Sequence, residues 1–429
     1  MLLIYSDSVT PRTEYIFELV FKHEFGLQFT STTDINIFHS HKDEKICYSA
    51  QQQDNCIYIK PSSLLFETSI YELDVQVASK RGIPVLFSNE SGSGFDIFAA
   101  IFYMVTRYEE YLFFTADKHG RYQASETVAY KNNFLQKPVV NIWLQILKEQ
   151  LLEKYPQMVF KQNAYKAIVT YDIDIAYAYK GRGLFRTIGA TAKDVLTLKL
   201  KKLFGRFKTL ATNKDPWDVY EYLEITIKQK KLNSIFFFLL GNYSSHDKNI
   251  KHSHSLMVKL VNKISSFSDI GIHPSYKSSL YPKKITLEKK RLEKISGKPI
   301  NKSRQHYLNF KLPDTYNELI KSGISEDYSM GFADSAGFRA GICTPFYFYD
   351  LQNEKATSLK IFPVTCMEGT FLYYLKMTPK DSLPIIENLI KEVKIVQGTF
   401  ISIWHNNTVS DQKEFKGWKL LHNEMLGKI

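Results

Sequence analysis

A chain of 429 residues with 44% hydrophobic and 23% charged residues can bury a full core, and that length divides naturally into two or three folding units. The formal charge of +12 favours anionic partners such as an acidic glycan or a lipid surface, while the absence of a nucleic-acid-binding motif argues against DNA or RNA. Cys47, Cys56, Cys343 and Cys366 contain no C-x-x-C pair, which excludes a disulfide scaffold and a zinc knuckle. Together with the lack of a leader or of the roughly 20 consecutive apolar residues that a membrane span needs, the isolated thiols predict a cytoplasmic protein.

Residues 2–5 predict a first strand, and Thr10-Pro11 opens a helix whose Tyr15, Ile16, Leu19 and Val20 share a face. Short strand-like runs at 56–59 and 84–87 follow. A helix is expected from Phe95, with Arg107, Glu109 and Glu110 as a charged end before a turn, and another from Pro138 to about Lys154. Residues 1–160 are therefore expected to form a small α/β domain, with the second domain over 161–429.

From Lys166 the rhythm is strand then helix, repeated, the pattern of a parallel sheet or barrel. The expected strands are 167–171, 234–240, 269–272, 303–309, 327–332, 359–364 and 398–404, which predicts a (β/α)7-type barrel after the smaller α/β domain. Between the first strand and its helix lies a long insertion, residues 180–208, in which Leu196, Leu198, Leu200, Leu203, Phe204 and Phe207 alternate with lysine and arginine. It is expected to pack as a flap over the cleft, its basic face in solvent, favouring an anionic or membrane-linked ligand.

The chemistry concentrates at strand ends. The stretch KAIVTYDIDIAY places Asp172 and Asp174 just past an apolar run, on one face of an extended backbone. His273 follows the third strand, Arg304 and His306 share a face in the fourth, and His405 follows the seventh. An aspartate with two imidazoles is an ordinary ligand set for zinc or a similar divalent ion.

The segments TYDID, GIHPS, GFRAGICTPF and SIWH, in that order, resemble the successive motifs of the NodB-type polysaccharide deacetylases, the fourth family of carbohydrate esterases. The resemblance covers the chain from Lys166 onward and implies a NodB-like barrel acting as a metal-dependent N-deacetylase on an N-acetylated glycan. It implies Asp172 as general base, Asp174 and His273 as metal ligands, Arg339 as the arginine that holds the catalytic aspartate, and His405 as the acid that protonates the leaving amine. Glu368 is a candidate to orient His405. One position departs from the pattern: Lys277 stands where the family has its second metal-ligating histidine, and His306 is expected to complete the ligand set from the neighbouring strand. Two other readings stay open: a catalytically silent glycan-binding homologue, and a D-x-D glycosyltransferase, which leaves the histidines without a task.

Overall fold

In a computed structural model, which describes residues 1–183, 191, 195–198, 200–410 and 412–429, the chain builds two parallel sheets. The first contains β1 (Leu2–Ser6), β2 (Phe29–Thr32), β3 (Lys45–Tyr48) and β4 (Ile57–Ile59) in the order β2-β1-β3-β4. The helix after β1, Pro11–Phe17, starts where expected. The Thr10 side chain accepts the Thr13 N–H, the Thr13 hydroxyl accepts the Thr10 N–H in return, and Pro11 occupies the first turn, where no N–H is missed. A hairpin of β5 (Val77–Lys80) and β6 (Ile83–Leu86) leads to the wholly buried helix Ile97–Val105 and then to helix Val139–Lys154.

The second sheet holds β7 (Lys166–Ile173), β8 (Asn233–Phe238), β9 (Asp269–Ile272), β10 (Lys302–Ser303), β11 (Glu326–Asp327), β12 (Phe346–Asp350), β13 (Lys355–Ile361), β14 (Cys366–Met367) and β15 (Thr399–His405). Neighbours run β12-β13-β11-β10-β9-β8-β7-β15-β14, all parallel except the antiparallel edge strand β12. Residues 355–367 close the circle. Their first part donates to the β11 side (Lys360 N–H to Ser325, Phe362 N–H to Asp327, Val364 N–H to Met330), and Thr365 then donates to Ile401 before β14 pairs with β15. One continuous run thus bridges β11 and β15, which gives seven positions around a closed barrel. Ile235, Phe237, Tyr328, Val364, Ile401 and Ile403 form a separate interior core, with the Phe237 and Tyr328 rings 5.4 Å apart across the barrel.

Alternation along β7 decides which side chains reach that interior. Val169, Tyr171 and Ile173 belong to the core shared with the surrounding helices, whereas Ile168 packs on the interior cluster and Thr170 meets Arg304 inside the barrel. Asp172 continues the inward set to the strand's carboxyl end. The expected strands 303–309 and 327–332 shrink to two residues each. In the first, Tyr307 and Leu308 turn the chain with φ of 63° and 51°. In the second, the Asp327 carboxylate accepts the Ser329 N–H and replaces the next rung of the ladder.

The two sheets share one continuous hydrophobic core. Buried Arg12 pairs with Glu354 at 2.5 Å, and the Tyr15 hydroxyl donates to the Tyr347 carbonyl. The charged group at 107–110 is not a solvated helix end. Arg107 is fully buried between Glu109 and Glu110, and Glu110 also binds Arg339 at 2.6 Å, so these charges join the N-terminal helices to the barrel. Among the described residues no helix is long and apolar enough to cross a membrane.

Candidate active site

The carboxyl ends of the barrel strands gather the acids and imidazoles by register alone. Asp172 on β7 is paired with His405 on β15, and Ile272, the residue before His273, is paired with Ser303, the residue before Arg304. The side chains open onto a cleft of about 520 Å³.

Asp174, His273 and His306 each offer a ligand atom, and these atoms all lie within 4.8 Å of one another. His273 Nε2 is 3.1 Å from Asp174 Oδ1, and His306 Nε2 is 3.4 Å from Asp174 Oδ2. Each imidazole is fixed from behind. His273 Nδ1 lies 2.5 Å from the Arg304 carbonyl, and His306 Nδ1 lies 3.0 Å from Asp247 Oδ1. A carbonyl can only accept, so Nδ1 of His273 carries a proton and Nε2 is the nitrogen turned toward Asp174. A carboxylate or carbonyl behind each ligand histidine is the usual support of a metal site. Asp174 Oδ1 is buried without a hydrogen-bond partner, an acceptor aimed at the point where the three groups meet. The donor set and this orphaned oxygen fit a divalent cation. Lys277 is exposed, away from the cluster.

Two further pairs flank this centre. Arg304, fully buried inside the barrel, donates to Asp172 Oδ1 at 3.0 Å and to the Tyr328 carbonyl at 3.0 Å, and Asp172 Oδ2 is 3.7 Å from His273 Nε2. On the other side, Glu368 Oε1 lies 2.7 Å from His405 Nδ1 and accepts the His405 N–H at 2.8 Å, which leaves His405 Nε2 3.5 Å from Asp174 Oδ2.

The electrostatics follow from this crowding. Burial opposes ionisation of Asp174, yet the neighbouring imidazoles of His306, His405 and His273 hold its carboxyl well below the ordinary range. Burial also disfavours charge on His306 and His405, but the carboxylates outweigh it. Asp174 and Asp247 raise His306 to about 9, and Glu368 and Asp174 raise His405 to about 10.

Arg339 is elsewhere, and the role implied for it is corrected. Its guanidinium forms two hydrogen bonds to Glu110, donates to the Gly331 carbonyl and lies over the rings of Phe310 and Phe332. The arginine on Asp172 is Arg304, which shares the inward face of its strand with the barrel core. Asp247 was also beyond reach of the sequence, because it sits in a loop after β8 with no motif around it. Least expected is the loop 117–121 from the N-terminal region, whose Lys118, His119 and Arg121 line the cleft. Trp217, Tyr373 and Tyr374 complete its aromatic walls.

Residues 2–156 match the model of a family of unknown function (DUF7033). No curated protein matches the sequence. Over 62% of its length the chain is structurally similar to a solved polysaccharide deacetylase from Mycobacterium smegmatis, of which it covers 84%, at 12% identity and a TM-score of 0.42. It is similar over the same share to the polysaccharide deacetylase of Bacillus cereus, covering 87% of it at 13% identity and a TM-score of 0.29. A mutant pseudoenzyme of the fourth carbohydrate esterase family with restored enzymatic activity is also similar, at 10% identity, with 62% of this chain and 64% of that one covered and a TM-score of 0.29. These are distant likenesses of fold, confined to part of the chain.

Proposed function

We propose that the protein is a metal-dependent hydrolase that removes N-acetyl groups from a sugar of a polysaccharide or glycan precursor. The observation that carries this reading is the convergence of Asp174, His273 and His306, with an orphaned Asp174 oxygen at its centre and an acid-base pair on either side. A divalent cation such as zinc, held by these three side chains, would supply Lewis acidity toward the amide carbonyl and make water nucleophilic near neutral pH.

The remaining work falls to the protein's own groups. Asp172, clamped by Arg304, faces the ligand cluster and accepts the proton of the attacking water. His405 stands across the cluster, oriented by Glu368, and donates a proton to the departing amine. Trp217, Tyr307, Tyr373 and Tyr374 give the cleft apolar faces on which a sugar ring can stack, and Lys118 and Lys376 at its edge suit an anionic glycan. Lys277 is exposed and outside the ligand cluster, which weighs against the silent-homologue reading so far as it rested on that residue.

The test is acetate release from a panel of N-acetylated oligosaccharides by protein loaded with zinc, cobalt or manganese, with an Asp172→Asn variant as control. Release by the wild type and none by the variant supports the reading. Binding of the oligosaccharides without release by any loaded form would favour a glycan-binding role instead.

A further inference from the structure

We propose that the exposed face of the helix Leu200–Thr212 docks on an anionic lipid surface, beside the cleft, so that the glycan acted on is one presented from that surface. The flap is expected to pack its apolar side with a basic face in solvent, and in the described part of the insertion apolar side chains stand in solvent as well; residues 184–190, 192–194 and 199 lie outside that part. The helix seats on the barrel rim through its small and polar side. A Cβ at Gly205 would stand 2.9 Å from the Tyr179 hydroxyl, the Arg206 guanidinium lies over the Tyr179 ring, and Thr209 is buried. Phe204, Phe207 and Leu210 are 70%, 58% and 70% exposed. Burying an arginine while exposing two phenylalanines and a leucine is the reverse of what water alone selects, so another surface must cover this face.

The charge says which. Residues 180–214 contain ten lysines and arginines and one acid, Asp194, and Lys208 on the helix and Lys214 just past its end are exposed. Aromatic and leucine side chains flanked by lysines are what an interfacial helix presents to anionic headgroups. The site is also tied to the cleft. The Asp215 carboxylate accepts the N–H groups of Ala178, Tyr179, Lys180 and Trp217, and Trp217 lines the cleft. The choice of substrate rests on the hydrolase reading; docking itself does not.

The experiment is co-sedimentation of the full chain with vesicles of phosphatidylcholine alone and with about 30% phosphatidylglycerol. At least about tenfold stronger partition onto the anionic vesicles is expected, lost when salt rises to about 0.5 M and lost in the variant Phe204→Ser/Phe207→Ser/Leu210→Ser. These side chains are exposed, so the variant keeps its fold, checked by its thermal transition. Equal partition onto both vesicles, or none, overturns the proposal. So does a wild-type dimer that the triple substitution turns into monomer, since a second copy would then be the occupant. Vesicle binding without acetate release would leave docking standing and count against the hydrolase reading alone.

We also infer that Arg121, from the region matched to the family of unknown function, is a positioning residue for His306. Its guanidinium, buried and braced by two hydrogen bonds to Asp117, donates to the Tyr307 carbonyl at 2.6 Å and to the Tyr374 hydroxyl at 3.0 Å. Tyr307 directly follows His306 and has a left-handed backbone, a conformation that a non-glycine residue keeps only under external restraint. In Arg121→Gln, amide hydrogen exchange of residues 305–309 should speed up at least about tenfold, and zinc affinity should fall about tenfold or more. Arg121→Lys should restore part of both. Unchanged exchange in a folded Arg121→Gln protein overturns the inference, whether or not the wild type binds zinc.

Discussion

Arg304 and Asp172, separated by 132 residues in the chain, meet inside the barrel at 3.0 Å, both almost fully buried. Removing one partner strands the other charge in a medium that cannot solvate it. Arg304→Met is therefore expected to lower unfolding stability by about 3–5 kcal/mol, read from the urea midpoint. Arg339→Met breaks the pair with Glu110 and should also destabilise, but its folded fraction should keep full acetate release because Asp172 is untouched. Activity lost per folded molecule in Arg339→Met, and kept in Arg304→Met, would reverse the assignment of the two arginines.

The sequence showed the acids and histidines because strand ends are legible: an apolar run that stops at TYDID or GIH places the next polar residue at the barrel mouth. It did not show which arginine reaches Asp172, since that depends on the inward phase of a strand only two residues long. The motif around Arg339 is more conspicuous, yet its side chain turns to Glu110. Asp247 and Arg121 were illegible for a related reason. Both act from loops, where neither periodicity nor spacing carries information about direction. The seven-position barrel was legible as alternation, but its closure by one run pairing first with β11 and then with β15 was not.

Asp172→Asn should lower stability by leaving Arg304 without its counter-charge, but its folded fraction should keep the metal while acetate release falls by roughly 10²–10⁴-fold, the usual contribution of a general base. Asp174→Asn should lose the metal itself. Metal content by mass spectrometry separates the two, and the opposite pattern would exchange their roles.

Glu368→Gln keeps the size of the side chain but removes the carboxylate that raises His405 and holds its ring. A fall in kcat with little change in KM is expected, because the contact serves proton donation rather than substrate binding. A variant altered only in KM would argue that Glu368 shapes the cleft instead.

His422 offers a pH test outside the cleft. Buried between Tyr171 and Trp404, its imidazole is pushed down to about 3 by burial, with Lys419 adding to the effect. The folded state keeps it neutral while the unfolded chain takes up a proton near the ordinary value of about 6.5. Stability is therefore lost as pH falls below about 6.5, at up to roughly 1.4 kcal/mol per unit, and the loss from this group ends near 3. Urea titrations between pH 7 and 5 should show a shallower slope for His422→Gln than for the wild type. Parallel slopes would contradict the assignment.

The central claim is that Asp174, His273 and His306 hold one divalent ion. The most direct measurement is anomalous diffraction from zinc-soaked crystals of the wild type and of Asp174→Asn. A single peak at roughly 2.0–2.2 Å from all three side chains, absent in the variant, is the predicted result. No peak among these residues, or a peak that persists when Asp174 is replaced, would contradict it.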